Sequence, residues 1–576
     1  MDVRRTPVLI VGAGVGGLAT STLLAKHRIP SLLVERRPEV FIYPKARNLS
    51  FRTLEVLRGL GVGDEVHAVA DGVSSMVVKS TLNSTEQRQA LDIDAIFAGM
   101  AELSPEPAAQ YCPQSSLEPI LLAYAREHGS EARYGTELLS FEQHEAGVSA
   151  VVRDVESEGL ETVHADFLVA ADGVHSPVRQ ALGMHTTGFG PLPIYVVFVY
   201  FHAPWRTFVS ELSDGDTVQV ENPSVQGIFV PIAGDHGMFI TTYYPERGET
   251  AAQFTPHRCR ELILDAVGED CDVEILQVAA WQPYEQVADQ FRCRRVFLVG
   301  DSAHTMPPFK AGGANTAIQS AHNLAWKLAA VITGAAEPTL LDTFHAERHP
   351  VGRFSARQSL TGPTLAVLGL DKEGPGLPTD EEVPMFNLLI GYQYRSTAVL
   401  AGDSAIADPS RLLLVDRLRG QPGTRVPHAW LHRGDHRIST LDLLGPGFTV
   451  LTGDAGDPWC ASAAFALSPS VYRSARTESV LRATSSTSTG NGPRASDSRQ
   501  KAHCWFVPMT SWGGGWTTSR LTRTGSFVRH FPPSWAEDCV YSARIPVYTN
   551  NKPTAVRKPA IRTACCRSIH CFSRSS

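Results

Sequence analysis

Apolar residues fall along the chain in short runs that stop abruptly at glycine or an acid. The first run, Val8-Leu-Ile-Val, stops at Gly12. A helical stretch from Leu18 to His27 follows, then a second run, Ser31 to Val34, closed by Glu35. Short unbroken runs of this kind suit strands buried on both faces of a parallel sheet. Two more follow the same plan. Ala165-Asp-Phe-Leu-Val-Ala-Ala leads into Asp172-Gly173, and Arg295-Val-Phe-Leu-Val leads into Gly300-Asp301, a Pro/Gly loop and a helix. In that helix Ala317, Ala321, Leu324, Leu328 and Ile332 share one stripe, the spacing of a core-facing helix. Residues 185 to 280 read differently. The runs 194–201, 227–231 and 238–244 are rich in Val, Tyr, Phe, Thr and Ile and are broken by Gly, Asp and Pro, which predicts an inserted β-sheet.

The first turn carries Gly12-Ala-Gly14-Val-Gly16-Gly17, a GxGxxG between strand and helix, with Glu35 about 20 residues on. Gly12 allows the tight turn, Gly14 lets backbone approach a pyrophosphate, and Gly17 lets helix and strand pack closely. The helix N-terminus offers free N–H groups and the positive end of its dipole to phosphates. Glu35 can accept both ribose hydroxyls, and its charge repels a 2′-phosphate. The ligand expected here is FAD or NAD rather than NADP.

Composition narrows the picture. The 576 residues are 43% hydrophobic and 19% charged, enough for several domains with a large core. No run approaches the roughly 18 apolar residues of a membrane span, so no membrane partner is expected. Arg4-Arg5 before an apolar run mimics a signal peptide, but that run holds three spaced glycines. A net charge of −7 argues against nucleic acid as a partner. The ten cysteines include no CxxC, which leaves no metal spacing and points to a reducing cytoplasm.

With its three ordered glycine-acid loops, the chain resembles the class A FAD-dependent aromatic hydroxylases, whose best-studied member acts on para-hydroxybenzoate. The wording GDSAHTMPPFKAGGANTAIQSAHNLAWKLA is similar to the subgroup that hydroxylates aromatic polyketides. The resemblance covers roughly residues 5–466. It implies FAD as cofactor, NAD(P)H as co-substrate, a small aromatic substrate with O2, and delivery of oxygen through a flavin C4a-hydroperoxide. A homodimer is compatible with it.

The resemblance also implies roles for single residues. Gly12, Gly14, Gly16, Gly17, Glu35 and Arg36 form the first fingerprint, Asp172, Gly173 and Arg179 the second, Gly300 and Asp301 the third. Asp301 would bind the ribityl chain and Pro308 would lie near the reactive edge of the flavin. Gly312, Gly313, Ala314 and Asn315 would sit at the pyrimidine end. Gln114 matches a flavin-contacting glutamine, and Lys45 and Arg47 match a basic patch. No side chain is assigned as the catalytic base. His304 stands in the flavin loop, where a structural role is expected. Ser320 replaces the acid of the commoner pattern. Baeyer–Villiger or N-hydroxylating oxygen insertion, or an FAD protein that only binds its ligand, are the competing readings. Flavin halogenases lack support because no WxWxIP segment exists, and disulfide reductases because no cysteine pair follows the first fingerprint.

The expected fold is α/β. A Rossmann-like FAD-binding domain spans 1–184 and 281–392, with an inserted β-sheet substrate domain at 185–280. A partial thioredoxin-like domain follows at 393–466, and without a CxxC it carries no thiol redox function. Residues 467–576 hold 16 Lys and Arg against 4 Asp and Glu, whereas the rest holds 36 against 55. This aberrant basic tail shows no helical or strand periodicity, yet it is too apolar for a disordered segment. Back-translating 502–513 and reading from the third base of each codon is compatible with A-L-L-V-R-P-D-D-F-V-G-W. That resembles the last hairpin of the family's C-terminal domain and points to a frameshift, which would leave an open sheet edge.

Overall fold

The computed structural model describes residues 3–40, 48–72, 75–91, 96–97, 99–213, 215–310, 312–362, 380–399, 412–444 and 448–451. Of the last part it describes 502–507 and 517–521. Lys45 and Arg47 lie outside the described residues, as does most of the tail.

The apolar runs become the centre of a parallel sheet. Its strands lie in the order Val296–Leu298, Leu160–Ala170, Val3–Val11, Ser31–Glu35, Glu131–Tyr134. Val8 lies opposite both Phe167 and Ser31, and Leu168 opposite Val296. Val8, Leu9, Ile10, Leu32, Leu33 and Leu168 are fully buried, as strands covered on both faces require. Leu160–Ala170 is longer than its apolar run because its first half pairs antiparallel with Val148–Asp154. The helix Val15–Lys26 lies on this sheet, and against it lies the long helix Gly312–Ile332. The predicted apolar stripe of the long helix is present, but Asn315 to Ala329 are buried on every side. Its polar positions are met internally: Glu347 accepts from both Asn323 and Lys327 at 2.7 Å.

The inserted sheet has seven strands in the order Glu274–Trp281, Tyr195–His202, His236–Tyr243, Gln226–Ala233, Thr217–Glu221, Met76–Lys79, Gln87–Leu91. The three predicted runs are there. Two further strands come from 76–91, far earlier in the chain than the expected 185–280. Thr217–Glu221 recruits Met76–Lys79 in parallel, and a pairing that distant leaves no local signal. One face of the sheet packs on the helix Pro256–Val267 and Trp205, burying Val197, Val199, Phe201, Phe229 and Phe239. The opposite face carries Phe198, Tyr200, Ile228, Val230, Met238 and Ile240.

Beyond residue 466 the described residues correct the expectation of no strands. Ala502–Val507 pairs antiparallel with Thr449–Leu451, and Thr517–Leu521 pairs with Ala502–Val507. His-Cys-Trp-Phe-Val is a β-prone sequence, and the edge of Thr449–Leu451 offers it a ladder.

Candidate functional site

Three loops leave the carboxyl ends of the parallel strands, where ligands of open α/β sheets bind. Glycines let them touch. Gly12 has φ +102°, and a Cβ there would stand 2.3 Å from the Ala171 carbonyl oxygen, so only glycine brings the first loop against the second. A Cβ on Gly17 would meet the Gly12 oxygen at 1.9 Å, which forces glycine where helix and turn close on each other. A Cβ on Gly16 would lie 3.4 Å from Val299 and 3.5 Å from Gly300, so the first loop also meets the third. Gly14 is the exception, because nothing stands within 4 Å of where its Cβ would be. No side chain caps the helix that begins after it. An open space therefore faces an uncapped helix N-terminus, a cradle suited to a pyrophosphate.

Glu35 ends its strand beside this cradle. One carboxylate oxygen accepts the Ala13 N–H at 2.8 Å, and the other accepts from the Arg37 side chain at 2.9 Å. Burial pushes the carboxyl up, but Arg37 and the Ala13 N–H outweigh it and hold Glu35 below its ordinary range. Arg36, expected in the first fingerprint, is exposed. The Glu35-Arg-Arg wording held a signal for Arg37, but the strand's end decides which arginine turns inward.

In the second loop Asp172 accepts the Ser176 hydroxyl at 2.6 Å and the Val178 N–H at 3.0 Å, while burial pushes its carboxyl up. Gly173 has φ +88° and open space before it. Arg179 is buried and turned inward. It donates to the carbonyls of Ser302 and Val174, both at 2.8 Å, and so ties the second loop to the third. Gly300 takes φ +70°, Asp301 is exposed, and the Ser302 hydroxyl donates back to Ala170 at 2.6 Å.

The third loop runs into the turn Pro308–Lys310 and the long helix. Pro308 is exposed, and Gly312, Gly313 and Ala314 are half-buried. A Cβ on Gly313 would meet nothing within 4 Å. Lys310 fastens the loop by donating to Thr361 at 2.9 Å and to Glu382 at 2.6 Å. Asn315 donates to the Asn48 carbonyl at 2.9 Å and accepts from Ser50. Gln114 starts the helix Gln114–Glu127 and donates to Glu118. Sequence reasoning missed Ser50, Arg37 and Lys310, whose contacts are all with residues remote in the chain or unreadable from local pattern.

His304 lies away from this edge, buried against Phe291 and Gly352. Neither ring nitrogen has a hydrogen-bond partner among the described residues. Burial and the nearby Arg348 hold it down to about 3, so it is a neutral core residue. Ser320 accepts from the buried Arg348 at 3.1 Å.

The glycines and acids of three loops thus meet at one sheet edge, around an open cradle that a dinucleotide fits. A family profile described as an FAD binding domain matches residues 5–359. The chain belongs to this FAD-binding family. A protein of Streptomyces halstedii named as a polyketide hydroxylase is 40% identical over 80% of this chain and 84% of its own length. Aklavinone 12-hydroxylase of Streptomyces purpurascens is 36% identical over 80% of this chain and 86% of its own. Aklavinone-11 hydroxylase, solved as a ternary complex with FAD and aklavinone, superposes with a TM-score of 0.75 at 33% identity. The match covers 90% of this chain and 96% of that one. The protein is accordingly an FAD-dependent monooxygenase, and its fold is the expected α/β one, with a Rossmann-like part and an inserted sheet. Among the described residues no helix is long and apolar enough to cross a membrane, and no cluster of potential metal ligands occurs.

Proposed function

We propose that the protein hydroxylates a polycyclic aromatic, polyketide-type substrate, consuming NAD(P)H and O2 in the cytoplasm. The observation that carries this reading is the face of the inserted sheet opposite the helix Pro256–Val267. Phe198, Ile228, Val230, Met238 and Ile240 form a broad apolar wall, with Tyr200 and Gln277 side by side in the ladder as its polar groups. A flat, apolar ligand with few hydroxyls matches that wall, and relatives are named as polyketide and aklavinone hydroxylases. Bound FAD supplies hydride acceptance and oxygen activation. The protein supplies position and exclusion of water. Gly12, Gly14, Gly16 and Gly17 hold the pyrophosphate, Glu35 the ribose, Asp301 the ribityl chain, and Gly312 to Asn315 the pyrimidine end.

The free thiols of Cys112, Cys259, Cys271 and Cys293 suit a reducing compartment. The test is NAD(P)H oxidation by the yellow holoprotein across a panel of polycyclic phenols, with product mass. Substrate-stimulated oxidation and the gain of one oxygen on a ring carbon are expected. Insertion into a ring C–C bond or on nitrogen would replace this reading with another oxygen transfer. No stimulation by any phenol that binds would make the protein a binder.

A further inference from the structure

The strand Thr186–Pro191 leads into the inserted sheet and pairs antiparallel with Tyr284–Ala288, the strand that leads out of it. Thr187 lies opposite Val287 and Gly190 opposite Glu285, so Gly188 and Phe189 together face the single Gln286. A bulge of this kind re-aims a side chain and is common beside active sites. Glycine flanks Phe189 on both sides for a steric reason. Gly188 takes φ +144° and Gly190 φ +83°, and a Cβ on Gly188 would stand 2.4 Å from the Glu285 carbonyl oxygen.

Glu285 fixes the bulge. It is 1% exposed, and one of its carboxylate oxygens accepts the Phe189 N–H at 2.6 Å. That bond uses the N–H of a bulged residue, which a ladder leaves over. Burial, the largest influence, pushes the Glu285 carboxyl up, and the Phe189 N–H and Arg357 draw it back. A carboxylate is costly to keep buried unless it is hydrogen-bonded, so acid and bulge support each other.

The Phe189 ring is half-buried. It packs on Ile194, Val196 and Leu360, the cluster on which Phe198 and Ile240 of the apolar wall also pack. The residue after Leu360 is Thr361, which accepts from Lys310 of the third loop at 2.9 Å. Phe189 thus stands where the wall meets the anchor of the third loop.

We propose that Phe189, held by Glu285, sets how large a ring system the protein accepts. Its ring closes the wall at the end next to Lys310 and stops the leading ring of the ligand. Glu285 is a positioning residue that acts through Phe189. The ligand class, a polycyclic phenol, is that of the proposed hydroxylation, on which this assignment rests.

The experiment uses the FAD-loaded full chain. Binding of 2-naphthol and of 1-hydroxypyrene is read from the shift of the visible flavin band, a signal that needs no turnover. Phe189→Ala is expected to raise the affinity for 1-hydroxypyrene relative to 2-naphthol at least about tenfold, or 1.4 kcal/mol. Phe189→Leu, which keeps more of the packing, is expected to move the ratio part of the way. Glu285→Ala frees the bulge and is expected to move it in the same direction. Glu285→Gln keeps an acceptor for the Phe189 N–H and is expected to restore it, with FAD content reporting that each variant is folded. An unchanged ratio in folded F189A or F189L, the same ratio in E285Q as in E285A, or no flavin shift with either phenol in the parent protein would each overturn the proposal. Phenol binding without stimulated NAD(P)H oxidation would remove the hydroxylase reading instead, and the affinity ratios would still decide the role of Phe189.

Discussion

The side-chain carbonyl of Asn315 accepts both the Ser50 N–H at 3.0 Å and the Ser50 hydroxyl at 3.1 Å. This residue, expected to face the flavin, spends its side chain on holding the Asn48–Ser50 ribbon against the start of the long helix. Asn315→Ala leaves the buried Ser50 N–H unpaired, which costs about 1–3 kcal/mol. The variant is expected to unfold earlier in urea and to release FAD more readily, with the released flavin read by fluorescence. Unchanged retention and stability would remove Asn315 from this role.

The glycine turn makes a two-sided prediction. Gly17→Ala places a methyl 1.9 Å from the Gly12 oxygen, so the soluble yield of folded protein is expected to collapse. At Gly14 a Cβ meets no protein atom within 4 Å, so the far-UV circular dichroism of Gly14→Val is expected to stay native. Its side chain fills the cradle, so FAD affinity is expected to fall by about a hundredfold, or 2.7 kcal/mol. Tight FAD binding by G14V would show that the cofactor takes another path.

Buried histidines set an acid limit. Burial, as the largest cause, holds His304 down to about 3 and His349 and His428 to about 4. The ordinary value is 6.5, so the unfolded chain binds more protons than the native one between these limits. Stability is fully present above pH 6.5 and is lost as pH falls toward 4. Urea midpoints measured from pH 8 to pH 4 should drop steeply below 6.5, and His304→Phe should flatten part of that slope. A flat profile in the parent protein would contradict the burial of these rings.

Lys327 and Glu347 form an ion pair that is fully buried on both sides. Burial pulls the Lys327 ammonium down, and Glu347 pulls it back up. Lys327→Met strands the Glu347 charge, which also accepts Ser396 at 2.7 Å. A loss of about 3–5 kcal/mol is expected from chemical denaturation. A loss below 1 kcal/mol would mean that water reaches the pair.

The tail yields a test at the level of the gene. If 502–513 is read out of frame, the frame-restored chain should be more soluble than this one in side-by-side expression. A shifted frame carrying a stop between codons 470 and 512 would sink the idea, and equal solubility of the two chains would count against the solubility prediction.

Much of this architecture was legible because its signals are local. The apolar runs before Gly12, Asp172 and Gly300 are strands covered on both faces, and such burial leaves no polar position to blur the pattern. The glycines were legible for a steric reason, since no other residue clears the Ala171 and Gly12 oxygens. What escaped was set by distance along the chain. Nothing near residue 76 announces that Met76–Lys79 will lie beside Thr217–Glu221. Arg179 looked like a ligand-facing cation, yet its two bonds run inward to carbonyls that only the folded loops bring within reach. Arg36 and Arg37 both follow the strand Ser31–Glu35, and only the second turns back to its final carboxylate.

The seven-stranded sheet has a further consequence. Its strands are gathered from two stretches of chain separated by the middle of the parallel sheet, so neither layer can be completed before the other has begun. A fragment cut at 185 and 280 would lose both strands on one flank and bare the ladder of Thr217–Glu221 to aggregation. Swapping substrate modules between relatives must therefore carry residues 76–91 along with the later strands, or the graft arrives with a raw edge.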